Sequence, residues 1–129
     1  MQEWPNGVQL PEYVVKDIES FGLKKRVGFL GLNTNDPSLY VGSPFNGAVI
    51  EPIEATLKRL RKVLETKETV DLVIPMTHQR IDDDRELAKA LKAGIPLIIG
   101  GHDHDVYHER QGGSCIIKTG ADAVNFGIC

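Results

Sequence analysis

A chain of 129 residues with 15 basic and 18 acidic side chains is long enough for one buried core, and its net charge of −3 gives no basic stripe for a phosphate backbone or an anionic membrane. Apolar residues at 41% and charged residues at 26% exclude disorder, collagen and a coiled coil. No apolar run approaches the ~18 residues of a membrane span, so nucleic acid and membrane are set aside as partners of this chain.

Met1 to Pro11, with Pro5, Asn6, Gly7 and Pro11, reads as loop and lacks the basic start and apolar middle of a signal peptide. Tyr13 to Ile18 alternates apolar and polar residues, Ser20 to Lys25 makes a turn around Gly22, and Arg26 to Leu32 is a second strand, so the three predict a hairpin. Asn33 to Gly47, rich in Asn, Asp, Pro, Ser and Gly, is a long connecting loop. Pro52 suits the first position of a helix over 52–66, whose Ile53, Leu57, Leu60 and Leu64 share one face. Val70 to Met76 is a near-continuous apolar run, which predicts a strand buried on both faces and parallel to the one ending at Leu32. Asp82, Asp83 and Asp84 supply N-cap and first-turn carboxylates for a second helix over 83–92, closed by Gly94, and Pro96 to Ile99 is the next buried strand. Val106 to Arg110, a Gln-Gly-Gly-Ser turn, Cys115 to Lys118 and Val124 to Cys129 complete the chain as three short strands with a hairpin among them. Cys115 and Cys129 belong to no Cys-x-x-Cys pair and read as reduced strand residues.

The chemistry concentrates in Gly100-Gly101-His102-Asp103-His104-Asp105, where two imidazoles and two carboxylates follow an apolar strand. His78 stands at the equivalent end of the preceding strand. The carboxyl ends of adjacent parallel strands are where open α/β sheets bind ligands. In extended chain, residues i and i+2 point to the same side, so His102 and His104 are expected to face one site while Asp103 faces solvent. His78, His102 and His104 together suit one divalent ion, or two ions bridged by further ligands. His108 and Arg80 read as solvated surface residues, and the three consecutive aspartates as helix-start carboxylates.

Val73-Ile74-Pro75-Met76-Thr77-His78, Asp84-Arg85-Glu86-Leu87-Ala88 and Ile98-Ile99-Gly100-Gly101-His102-Asp103-His104 follow one another in the order and spacing of the second half of the calcineurin-like metallophosphoesterases. The chain resembles their 5′-nucleotidase branch in particular, and Tyr13 to Thr34 and Glu51 to Ala55 extend the similarity back to about residue 12. The resemblance implies an α/β fold that is half of a four-layer α/β/β/α sandwich: parallel β-α-β units, then a short β-hairpin. Residues 1–129 would form the carboxyl-terminal part of a phosphoesterase domain. It further implies a hydrolase of 5′-nucleotides or related small phosphoesters. In such enzymes two divalent ions (Zn, Mn, Fe or Mg) ~3.5–4 Å apart bind phosphate oxygens and activate a hydroxide for attack on phosphorus. His78 matches the family's single histidine ligand of one metal, His102 a second ligand of that metal, and His104 a ligand of the other.

The family's Asp-x-His, Gly-Asp-x-x-Asp and Gly-Asn-His-Asp/Glu motifs occur nowhere in the sequence. Those motifs carry the bridging aspartate and the Asn/His dyad, so no catalytic residue is assigned, and the chain alone is expected to be inactive without an upstream half of the domain. The alternative is a non-catalytic metal-binding or interaction module that has lost those motifs. Substrate-binding residues and cellular compartment stay unassigned.

Overall fold

The computed structural model describes residues 10–42, 49–91 and 94–128. Alternation of apolar and polar residues produces β1 (Val14–Ser20) and β2 (Leu23–Asn33), which pair antiparallel from Val14 opposite Phe29 to Ser20 opposite Leu23. Their turn is only Phe21-Gly22, both at positive φ (50° and 76°), the mirror-image turn whose twist suits a hairpin. It is tighter than the predicted turn because Lys24 and Lys25 continue the ladder opposite Glu19 and Ile18.

From β2 the chain crosses through α1 (Ile53–Thr66) to β3 (Leu72–Gln79), and from β3 through α2 (Ile81–Ala90) to β4 (Leu97–His102). Both crossovers return the chain parallel, with Val27 beside Leu72 and Met76 beside Ile99. β5 (Val106–Gln111) and β6 (Ser114–Thr119) then form a hairpin about Gly112-Gly113, at φ 59° and 94°. β6 docks parallel on β4, so the strand order is β1-β2-β3-β4-β6-β5. The α/β class, the two parallel β-α-β units and the following hairpin are those expected from the sequence.

The core lies between one sheet face and the two helices. Leu30, Leu32, Val73, Ile98 and Ile116 from the strands meet Ile53, Leu57, Leu60 and Leu64 of α1 and Leu87 and Ala88 of α2. Each such aliphatic side chain contributes about 1.5–3 kcal/mol by leaving water. β3 is not buried on both faces as its apolar run predicts. Val73, Pro75, Thr77 and Gln79 are buried, while Leu72, Met76 and His78 are exposed, because both helices cover the same side.

Four further expectations are corrected. Pro52 occupies the N-cap of α1 instead of its first turn. The N-cap of α2 is Arg80, with no side-chain capping bond, and the helix ends at Ala90, leaving Gly94 (φ 109°) well beyond its C-cap Leu91. Residues 124–128 form no strand: Gly120, Asp122 and Ala123 turn the backbone at positive φ, and the segment has no ladder partner. Trp4, with residues 1–9, residues 43–48 of the long loop and Cys129 lie outside the described residues, whereas Cys115 is a free thiol in β6. No described helix is long and apolar enough to cross a membrane.

Candidate metal centre

Parallel register decides which side chains meet. His78 of β3 lies beside Gly101 of β4, and its ring stands edge-on to that of His102, with centroids 5.3 Å apart and planes at 75°. A Cβ at Gly101 would lie in ordinary contact with His78 Nδ1, at 3.4 Å, so the two residues adjoin closely. A shallow depression of about 440 Å³ runs from Gly31 and Asn33 past Met76 to His78 and Gly101. The backbone of His78 is held by Thr34, whose N–H donates to the His78 carbonyl at 3.1 Å.

His104 lies beyond the end of β4 and is exposed. The expectation that His102 and His104 share a side needs extended chain, but His102 has φ 79° and β4 ends on it, so the backbone turns before His104. The same turn brings Asp103 inward: it is an acceptor for Lys118, and its side chain is 19% exposed rather than solvated. Among the described residues no three His, Cys, Asp or Glu side chains come together as a cage for a metal ion. His78 and His102, two imidazoles at neighbouring strand ends, are of the donor type that suits a divalent metal.

Beneath the histidines lies a group that the sequence reading missed. Lys118 of β6 is 1% exposed, and its Nζ donates to Gln79 O (2.6 Å), Gly101 O (2.8 Å) and Asp103 Oδ2 (2.5 Å). Those three bonds use all the donors an ammonium has. Asp84 Oδ2 nonetheless lies 2.9 Å from Nζ, an ion contact without a hydrogen bond of its own. Asp84, fully buried on α2, accepts through Oδ1 from Thr77 Oγ1 (2.7 Å) and Gln79 Nε2 (2.8 Å). It is therefore a core residue, while Asp82 meets Arg85 at the surface. Periodicity held the signal: Asp84 is in phase with Ile81, Leu87 and Ala88, and Lys118 with Ser114 and Ile116. A charge in phase with a buried stripe must find a partner, since an unpaired buried ion is too costly to keep.

No family model matches the chain. In sequence it is 35% identical over 99 residues to the trifunctional nucleotide phosphoesterase protein YfkN of Bacillus subtilis (strain 168), a match covering 77% of this chain and 6% of that protein. It is also 35% identical over 78 residues to an apyrase of Tabanus yao, covering 60% of the chain and 13% of the apyrase. In fold it is similar to the sulfate thiohydrolase SoxB of Thermus thermophilus, with TM-score 0.67, 21% identity, and coverage of 88% of this chain and 20% of SoxB. A 5′-nucleotidase of Candida albicans superposes with TM-score 0.58 at 20% identity, covering 92% of the chain and 23% of that structure. The chain thus spans a small share of each protein it matches. In sequence and in fold alike, it has the likeness to the 5′-nucleotidase-like branch of the calcineurin-like metallophosphoesterases that its histidine motifs carry.

Proposed function

We propose that the chain is the carboxyl-terminal portion of a two-metal phosphoesterase domain that hydrolyses 5′-nucleotides or related small phosphoesters. One observation carries the reading: His78 and His102 stand edge-on at 5.3 Å at the carboxyl ends of adjacent parallel strands. The 35% identity to a nucleotide phosphoesterase and to an apyrase supports nucleotides as the substrate class. In this reading His78 and His102 hold one divalent ion, and His104 reaches a second ion that an upstream half of the domain helps to bind. Divalent ions bound there would neutralise phosphate charge and supply a nucleophile at neutral pH. The chain's own part is to present two imidazoles at neighbouring strand ends and to hold the backbone beside them.

The sheet face that carries His78 supports a further layer from an upstream half: Leu72 and Met76 on it are 37% and 48% exposed. A second layer packed there would bury that face and bring the remaining ligands to the histidines. The alternative is a metal-binding or interaction module without hydrolysis.

The test is an assay of the full-length protein that carries this segment, loaded with Zn²⁺ or Mn²⁺, on a nucleoside monophosphate. Metal-dependent release of phosphate that falls by orders of magnitude in His102→Ala supports the enzyme. Metal uptake without turnover supports the metal-binding module, and no uptake refutes the two-metal enzyme.

A further inference from the structure

Resting on the metal-site reading above, we infer that the buried Lys118–Asp84 pair is the positioning device for His78 and His102. Each charge grips the residues on either side of one histidine. Asp84 Oδ1 accepts from Thr77 and Gln79, which flank His78. Lys118 Nζ donates to Gly101 O and Asp103 Oδ2, which flank His102, and reaches across to Gln79 O at the end of β3. The Nζ–Oδ2 contact of 2.9 Å joins the two grips into one network spanning α2, β3, β4 and β6.

The network has something to resist. His102 is a non-glycine residue at φ 79°, a region that L-residues enter only when their surroundings hold them there. A bond to the preceding carbonyl and another to the following side chain fix the backbone on both sides of that strained residue. Room for the Lys118 stem is made by Gly100, where a Cβ would stand 2.7 Å from Lys118 Cε. The pair therefore acts through the histidines, and Lys118 and Asp84 are positioning residues. Groups that orient metal ligands from behind change metal affinity when they are lost.

The experiment uses the full-length protein and two variants. Lys118→Met removes the hub. Asp103→Asn keeps its shape, removes only the charged acceptor beside His102, and lies at a partly exposed position that tolerates the change if the first variant does not fold. Three quantities are read: the Zn²⁺ dissociation constant by chelator competition, the visible spectrum of the Co²⁺-loaded protein, and amide hydrogen exchange over 101–104 without metal. Zn²⁺ binding is expected to weaken roughly 10–100-fold, with a changed Co²⁺ spectrum and lost protection at His102 and Asp103 while the β1–β2 hairpin stays protected. Leu57→Ala, a core truncation on α1, lowers stability but keeps Zn²⁺ affinity within about twofold, as separate sites do. Folded variants with parental Zn²⁺ affinity and Co²⁺ spectrum overturn the inference. If the parent itself takes up no Zn²⁺, the metal-site reading fails, and unchanged exchange at 102–103 in the variants overturns the positioning role as well.

Discussion

Replacing Gly100 by Ala tests the buried network with a single carbon. The added Cβ would stand 2.7 Å from Lys118 Cε, 2.9 Å from Asp84 Oδ2 and 3.0 Å from Lys118 Cγ. Such separations force something to move, and Lys118 cannot swing aside without releasing one of the bonds from Nζ. Overpacking of this kind costs about 1–3 kcal/mol, and opening one charge-assisted hydrogen bond adds about 1.5–3 kcal/mol. Against this, Gly to Ala regains about 0.4–1 kcal/mol by restricting the unfolded chain. The expected net loss is about 3 kcal/mol from these magnitudes. Gly31 on β2 is the control, because a Cβ there meets nothing within 4 Å. Gly31→Ala should keep only the gain, about 0.4–1 kcal/mol. Urea unfolding followed by far-UV circular dichroism on the 129-residue chain measures both. A Gly100→Ala protein within about 0.5 kcal/mol of the parent, the range of an ordinary surface substitution, would refute the reasoning.

Arg85 grips Glu109 through Nε–Oε1 (2.8 Å) and Nη2–Oε2 (3.1 Å) and lies over the Tyr107 ring at 5.9 Å; its bonds to Glu109 and then to Asp82 hold its guanidinium even more firmly protonated than usual. Because the pair is about one-third exposed, Glu109→Gln should cost only about 0.2–1 kcal/mol, shrinking in high salt; thermal unfolding at two ionic strengths will show whether the loss is larger or independent of salt. The Asp71 carboxyl is held below its ordinary value of 3.8, first by the Arg26 backbone N–H and then by Lys25. A lowered folded value means that the stabilisation is complete above pH 3.8 and is lost as pH falls through the lower, folded value. The stability gap between parent and Asp71→Asn, followed by urea midpoint against pH, should therefore be constant near neutrality and close under acid; a gap that widens toward acid would contradict the sign. At the candidate site, His78→Ala and His102→Ala should each weaken Zn²⁺ binding measured by calorimetry, while His108→Ala on β5 should leave it unchanged. Equal losses in all three would place the site elsewhere.

Period-two and period-3.6 patterns made most of the fold legible. The α1 stripe of Ile53, Leu57, Leu60 and Leu64 is the buried face of that helix, and the runs before His78 and His102 are adjacent parallel strands. The burial of β3 was misread because an apolar run cannot say whether its second face has a partner. The rule of alternate side chains that paired His104 with His102 holds only in extended chain, and His102 at φ 79° ends that geometry. Asp84 illustrates a third limit, since its first-turn position suits a capping carboxylate while its phase on the helix makes it a core residue. Only the tertiary arrival of Lys118 decides between those roles.

The insertion of β6 between β4 and β5 also governs the order of folding. β5 and β6 can zip locally about Gly112-Gly113, on the microsecond scale of a hairpin. Lys118, however, closes a loop of 39 residues to reach Gln79, and its acceptors on β3 and β4 must already be aligned when it arrives. The contacts of Lys118 are expected to form after that alignment, since they need β3 and β4 in register before they can close. Removing the ammonium should leave the refolding rate nearly unchanged and accelerate unfolding, the kinetic mark of an interaction absent from the transition state.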